Sequence, residues 1–127
     1  MVIYDIIKKM KILVSGLINI ENNTKVHKFP LEYQPISYAF NEVNFCISGT
    51  GYNILMALGE LGDEVVPLTL LGEDAFGDII ISDLVWKEIK TRYIQRDLAN
   101  TPTSTVLFDD DGRREILNNG FAYCFKS

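Results

Sequence analysis

The segment Ser48-Gly49-Thr50-Gly51-Tyr52-Asn53 decides the fold, because it leads directly into an apolar run at residues 54–58. Glycines let a backbone turn sharply and approach other groups closely. We predict a helix from Thr50 to Leu61 that is covered on most sides and ended by Gly62. Its start can be capped by either of two hydroxyl side chains, Ser48 or Thr50.

The start of such a helix suits an oxygen-rich ligand. It offers unpaired N–H donors, and Asn53 in the first turn presents a donor and acceptors, as recognition of a hydroxyl group requires. Two phosphate-binding patterns are excluded, because Ile54 stands where a dinucleotide fingerprint needs Gly and no G-x-x-x-x-G-K-[ST] occurs in the sequence. A tight turn that only begins a helix is the alternative.

Apolar runs on both sides of this helix predict an α/β domain. Residues 12–16 predict a buried strand, central in a parallel sheet, and Val65 to Leu71 predict the next strand. A second helix follows, capped by Asp74 and running to about Lys90. Its inward stripe combines two sets of residues spaced by about four, Ile80 with Leu84, and Ile81 with Val85 and Ile89.

Two further stretches have the pattern of β-structure outside that sheet. Between residues 20 and 47, period-two alternation at 36–40 and again at 43–47 predicts antiparallel strands. Tyr93-Ile94-Gln95 predicts a brief strand and Thr103 to Phe108 a longer one. Asp111-Gly112 predicts a hairpin turn that leads into a returning strand.

Composition bounds the function. The 127 residues suffice for about one domain, and the net charge of −5 argues against a nucleic-acid-binding module. No apolar run is long enough to span a membrane. Cys46 and Cys124 are far apart and His27 is the only histidine, which argues against a zinc site and favours reduced thiols in the cytoplasm. Residues 1–9 can be an extension upstream of a start at Met10.

Asn19 and Glu21 follow the first predicted strand. Side chains two residues apart on an extended segment point the same way, so both can face one ligand. Ligands of open α/β sheets bind beyond the carboxyl ends of the strands. An ordinary polar loop is the alternative.

The spacing of these pieces resembles the N-terminal signature of the ribokinase-like (PfkB) carbohydrate kinase family. That signature has a Gly-rich turn and an Asn, a helix ending in Leu-Gly, a strand, and Gly-x-Asp-x-Phe-Gly, here Gly72 to Gly77. The segment Val14 to Glu21 is similar to the family's opening strand with its Asn-x-Asp. Thr101-Pro102-Thr103 and Asp109-x-x-Gly112-Arg113 are similar to its later strand and hairpin. The resemblance covers about residues 11 to 120.

The resemblance implies a ribokinase-like three-layer α/β/α sheet, here incomplete, with a small β-sheet lid formed by residues 20–47 and 103–118. Residues 1–127 would be the N-terminal part of one such domain, and its nucleotide-binding and catalytic part would be absent. The family's lid often pairs with that of a second subunit, so a homodimer through the lid is expected. Collapse of the lid's apolar face onto the chain's own helices is the alternative.

The resemblance also implies the substrate site. The matching positions, which would hold the hydroxyl groups of a sugar or nucleoside, are Asn19, Glu21, Gly49, Thr50, Gly51 and Asn53. Four positions depart from the family pattern. Glu21 stands where the family usually has Asp, and Thr50 where many members have Lys. Ser48 replaces a Gly, and Leu55 replaces a small residue.

The family transfers a phosphoryl group from ATP, with Mg²⁺, and draws its catalytic Asp from a Gly-Ala-Gly-Asp motif far downstream. No such motif occurs in this sequence. We therefore assign no catalytic residue and no metal ligand, expect no ATP or Mg²⁺ to bind this chain alone, and expect it to lack turnover. A non-catalytic sugar-binding or assembly protein derived from such a kinase is the alternative function. A flavodoxin-like domain is disfavoured, because its phosphate loop would need to follow the first strand directly.

Overall fold

The structure, a computed structural model, describes residues 9–119. Apart from Lys9, the predicted extension over residues 1–9 lies outside this range, as does Cys124. The described chain forms seven strands and two helices, which are in order β1 (Lys11–Ser15), β2 (Asn19–Lys25), β3 (Val43–Ser48), α1 (Thr50–Glu60), β4 (Glu64–Gly72), α2 (Ala75–Trp86), β5 (Ile94–Leu98), β6 (Thr103–Phe108) and β7 (Arg114–Asn118).

Three parallel strands, in the order β1-β4-β5, form the main sheet. The predicted strand at residues 12–16 is present as β1, but its predicted central position is wrong within the described residues. It pairs only with β4, from Lys11 opposite Glu64 to Ser15 opposite Leu68. β4 takes the centre because it pairs on both sides, and its almost continuous burial is typical of a strand covered on both faces.

Helix α1 lies where the sequence predicts it, but two details differ. The cap is Gly49 rather than Ser48 or Thr50, and it has no side-chain hydrogen bond. Within the apolar run 54–58 only Leu55 is buried, because the helix packs on the main sheet with one face and leaves Ile54 half-exposed. Gly62, with φ 93°, adopts the left-handed conformation expected after the helix.

Helix α2 begins at the predicted cap, since an Asp74 oxygen accepts a hydrogen bond from the Gly77 amide at 2.9 Å. It ends at Trp86 instead of Lys90. Glu88 turns into the left-handed region with φ 59°, and the Ile89 amide bonds back to the Leu84 carbonyl. Of the predicted stripe, Ile80 and Leu84 are fully buried, Ile81 and Ile89 pack against the core from partly buried positions, and Val85 is exposed.

Four strands in the order β3-β2-β6-β7 form the second sheet, in which β2 runs parallel to β6 and antiparallel to β3. The strand predicted at residues 36–40 is absent. Alternation produces a strand only where a partner edge accepts its hydrogen bonds, and within the described residues this segment pairs with neither outer strand of the sheet, β3 or β7. Tyr38 and Phe40 instead stack on each other, with ring centroids 5.6 Å apart.

The hairpin between β6 and β7 confirms the prediction from Asp111-Gly112. Gly112 has φ 79°, and the buried Asp109 carboxylate accepts hydrogen bonds from the Asp111 and Arg113 amides and from the Arg113 guanidinium. Burial alone raises the pKa of Asp109, but these donors and the Arg113 charge outweigh it and hold that pKa below its ordinary value.

One apolar core connects the two sheets and both helices. Ile20 brings the start of β2 into it, while Leu55 and Leu84 seal it from the helices. Its buried members are Val14, Ile18, Ile20, Leu55, Val65, Leu71, Ile80 and Leu84. This shared core, together with the pairing above, confirms the expected α/β class with a second sheet.

The Asp74 cap yields a stability prediction. Asp74→Asn keeps the side-chain shape but removes the charge and one acceptor, so we expect the free energy of unfolding at pH 7 to fall by about 1–3 kcal/mol. The control Asp78→Asn changes an exposed carboxylate in the same helical turn, and should cost less than about 1 kcal/mol. Urea unfolding measures both.

The same cap gives a pH dependence. Burial raises the pKa of Asp74, but hydrogen bonds from Thr101 and Gly77 and the Arg96 charge together lower it below its ordinary value. The stability that the Asp74 carboxylate contributes is therefore complete above its ordinary pKa of about 4, and it is lost as the pH falls from there through the lowered pKa. The gap between wild type and Asp74→Asn should narrow between about pH 5 and pH 3; an unchanged gap contradicts this account.

Candidate functional site

The site begins at a contact between two backbones. A Cβ atom added to Gly51 would lie 2.7 Å from the Gly16 carbonyl carbon, and one added to Gly16 would lie 3.0 Å from Gly51 Cα. The Gly51 amide donates to the Leu17 carbonyl at 2.9 Å. The start of α1 therefore rests directly on the turn that joins β1 to β2.

Gly49 completes this contact. Its φ of 105° disfavours any residue with a Cβ, and an added Cβ would lie 2.4 Å from the Leu17 carbonyl oxygen and 3.0 Å from Asn19 Oδ1. The close approach that the sequence assigns to a ligand is, in the structure, an approach to the chain's own turn. Its effect is to hold the helix start beside Asn19.

Asn19 is the first residue of β2 and is only 3% exposed. Its Nδ2 donates to the Ser104 hydroxyl at 2.9 Å. Its Oδ1 is buried and has no hydrogen-bond partner among the described residues. A buried acceptor without a partner costs free energy, so this atom is available for a donor that reaches the Gly49 turn.

Glu21 lies on the same face of β2 as Asn19, as the sequence predicts. Its Oε2 accepts from the Ser104 hydroxyl at 3.4 Å, and its Oε1 accepts from Asn23 Nδ2 at 3.2 Å. Cys46 is the residue of β3 that pairs with Glu21, and it is a free thiol. Burial, and secondarily the Glu21 charge, raises the pKa of that thiol.

Thr50 and Asn53 are the predicted site residues that stay apart from this group. Both are exposed in the first turn of α1, and within residues 9–119 no hydrogen bond joins either side chain to Asn19 or Glu21. The backbone amide of Asn53 takes part in the helix itself, since it donates to the Gly49 carbonyl at 3.0 Å. Their side chains remain available at the mouth of the glycine turn.

Ser104 is a site residue that the sequence did not identify. Strand β6 is predicted, but its register against β2 is not, and only the register places Ser104 opposite Glu21. Asp74 holds the segment that leads into β6. The Asp74 carboxylate accepts from the Thr101 hydroxyl at 2.6 Å and from the Thr101 amide at 2.7 Å, two residues before β6 begins.

The two helices are joined by a second unpredicted contact. The Tyr52 hydroxyl donates to Asp83 of α2 at 2.8 Å, and Lys87 pairs with the same carboxylate. Burial and the Asp83 carboxylate raise the pKa of Tyr52. The contact holds the first turn of α1, which carries Thr50 and Asn53, against α2.

A cleft in another part of the described chain lies away from this group. It has a volume of about 840 Å³ and is formed by the segment 24–43 with Asp110. Because β2 starts at Asn19 and ends at Lys25, this cleft and the Asn19 group lie at opposite ends of the strand. No helix within residues 9–119 is long and apolar enough to cross a membrane.

The Gly49 contact can be tested by mutation. Gly49→Ala adds a Cβ at a positive φ and also against the Leu17 carbonyl, whereas Gly62→Ala, the control, adds one at φ 93° with nothing within 4 Å. We expect Gly62→Ala to cost about 1 kcal/mol and Gly49→Ala about 3 kcal/mol or more. Equal losses in urea unfolding would refute the contact.

Comparison with known proteins agrees with this architecture. The model of the pfkB family carbohydrate kinases matches residues 9–123. Similar solved structures are ribokinase from Giardia lamblia (23% identity, TM-score 0.74), fructokinase from Xylella fastidiosa (26%, 0.66) and a nucleoside kinase from Burkholderia thailandensis in complex with inosine (18%, 0.70). Comparison with curated proteins gives no match.

These alignments cover 84–88% of this chain but only 33–34% of the other chains. The chain therefore spans about a third of the length of the structures that it matches. The two sheets and two helices described above are the corresponding part of a ribokinase-like fold. With the family model matching nearly the whole sequence, the chain belongs to the pfkB family of carbohydrate kinases.

Proposed function

We propose that this chain is the N-terminal substrate-binding and lid part of an ATP-dependent kinase that phosphorylates a hydroxyl group of a sugar or nucleoside. The observation that carries the proposal is the polar group Asn19–Ser104–Glu21 beside the glycine turn of α1. It combines a buried free acceptor, a carboxylate and a helix start in one place. Hydroxyl groups, which both donate and accept, are the ligands that such a set recognises.

Each assigned residue has a separate role in this proposal. Glu21 accepts from substrate hydroxyl groups, and Asn19 Oδ1 accepts from a donor at the turn. Thr50 and Asn53 reach the substrate from the other side, with Asn53 able to donate and accept. Gly49 and Gly51 shape the turn that brings these groups together. The solved structures named above are a ribokinase, a fructokinase and a nucleoside kinase, and these names support the substrate range proposed here.

ATP and Mg²⁺ belong to the complete enzyme in this proposal. Within residues 9–119 no three His, Cys, Asp or Glu side chains are grouped as metal ligands, and no step is assigned to a metal here. The sequence also lacks the Gly-Ala-Gly-Asp motif of the family. We propose that this chain alone does not turn over. Sugar-dependent ATP consumption by the purified chain would contradict this.

The second sheet is the proposed lid and a homodimer surface. On one face of it, Phe45, Asn22, Thr105 and Leu117 form a row across all four strands. Both apolar ends of that row are more than half exposed. Such a face on a thin sheet gains from burial against a second copy. The cytoplasm, where Cys46 and Cys124 stay reduced, is the proposed compartment.

Substrate binding can be measured through Cys46, which faces Glu21. In a Cys124→Ser background, D-ribose, D-fructose or inosine should slow alkylation of Cys46 by iodoacetamide in a saturable way. Asn53→Ala should raise the half-saturating ligand concentration about tenfold, because a polar contact to the ligand is lost. Glu60→Ala at the far end of α1 is the control and should have no effect. Absence of protection by all three ligands would contradict the proposal.

The lid dimer has a matched pair of variants. Leu117 and Ile116 are neighbours on β7 with similar exposure, 56% and 49%, but they point to opposite faces of the sheet. Leu117→Lys places a charge on the proposed dimer face and should shift the chain to monomer in sedimentation equilibrium. Ile116→Lys should leave the association unchanged. The same response from both variants would refute the assignment of the face.

A further inference from the structure

Ser104 lies between the two proposed substrate-binding side chains of β2. It is 6% exposed, and its hydroxyl oxygen is 2.9 Å from Asn19 Nδ2 and 3.4 Å from Glu21 Oε2. The direction of both bonds is fixed by chemistry. An amide nitrogen only donates and an ionised carboxylate only accepts, so the hydroxyl accepts from Asn19 and donates to Glu21.

The position of Ser104 is itself held by the fold. It lies opposite Glu21 in the parallel pairing of β2 with β6. Just before the strand, Thr101 is bonded to Asp74 through both its hydroxyl and its amide. Its neighbours Thr103 and Thr105 point to the other face of the sheet. The Ser104 hydroxyl, held in place through Thr101 and Asp74, therefore reaches both Asn19 and Glu21.

We propose that Ser104 is a positioning residue that fixes the orientation of the Asn19 amide and the Glu21 carboxylate for substrate binding. If the Asn19 amide flipped, its Oδ1 would face Ser104, whose single proton would then have to leave Glu21. The bond from Ser104 to Glu21 therefore keeps Asn19 Oδ1 directed to the Gly49 turn. Glu21 is longer than the Asp usual in the family, and bonds from Ser104 and Asn23 to its two oxygens restrain the extra reach. This inference rests on the proposed function for its role in binding.

Binding of D-ribose, D-fructose and inosine to three variants tests that role. Ser104→Ala removes the hydroxyl, Ser104→Thr keeps it, and Thr103→Val alters a hydroxyl on the opposite face of the same strand. Isothermal titration should show about tenfold weaker binding for Ser104→Ala, the ratio that 1.4 kcal/mol gives. The other two variants should stay within about twofold. Unweakened binding by Ser104→Ala, or equal weakening by Thr103→Val, would overturn the role.

A measurement without ligand separates this inference from the proposed function. In ¹⁵N NMR spectra, the side-chain amide protons of Asn19 should exchange slowly with solvent in wild type and Ser104→Thr. In Ser104→Ala they should shift and exchange faster, while the backbone resonances of the main sheet stay in place. If Asn19 does not respond, the positioning role is wrong even where sugar binds. If Asn19 responds but none of the three ligands binds the wild-type chain, the proposed function fails and the Ser104 contact stands.

Discussion

The contact between Gly16 and Gly51 is the constraint on which the other features depend. No side chain fits between these backbones, so the first turn of α1 lies directly against the turn between β1 and β2. That contact brings Gly49 beside Asn19 and thereby joins the main sheet to β2 of the second sheet. Packing density explains its importance, because a backbone contact leaves no room for adjustment by rotamer change.

Asp74 provides the complementary constraint from the other side. Its carboxylate caps α2 and also binds Thr101, while Arg96 of β5 donates to the Gly72 carbonyl and pairs with Asp78. An added Cβ on Gly72 would lie 2.5 Å from the Thr101 amide nitrogen. The end of β4, the start of α2 and the segment entering β6 are thus held together, which sets where β6 meets β2.

Local signals in the sequence were sufficient for much of the fold. The cap Asp74, the turn Asp111-Gly112 and the left-handed Gly62 each act within a few residues. Both helices begin where they were predicted and the hairpin is present, although α2 ends at Trp86 rather than Lys90. The failures are non-local. Alternation at residues 36–40 did not form a strand. Within residues 9–119 β4 rather than β1 is the central strand, because strand order depends on contacts far along the chain.

The candidate site divides in the same way. Asn19 and Glu21 share a face because residues two apart in a strand must do so. Ser104 could not be inferred, because only the register between β2 and β6 places it between them. The glycine turn was located correctly, but its closest neighbour is the Leu17 carbonyl, a contact that the sequence cannot show.

The pairing of β2 with β6 also bears on the order of folding. Glu21 and Ser104 are 83 residues apart, and the segment between them contains α1, β4, α2 and β5. The chain must lose the conformational entropy of closing this long loop before so distant a contact stabilises the fold, and such topologies fold slowly. During synthesis β2 leaves the ribosome well before its parallel partner exists. Until then β3 can pair along one side of β2, while the other side stays open to water and to neighbouring chains.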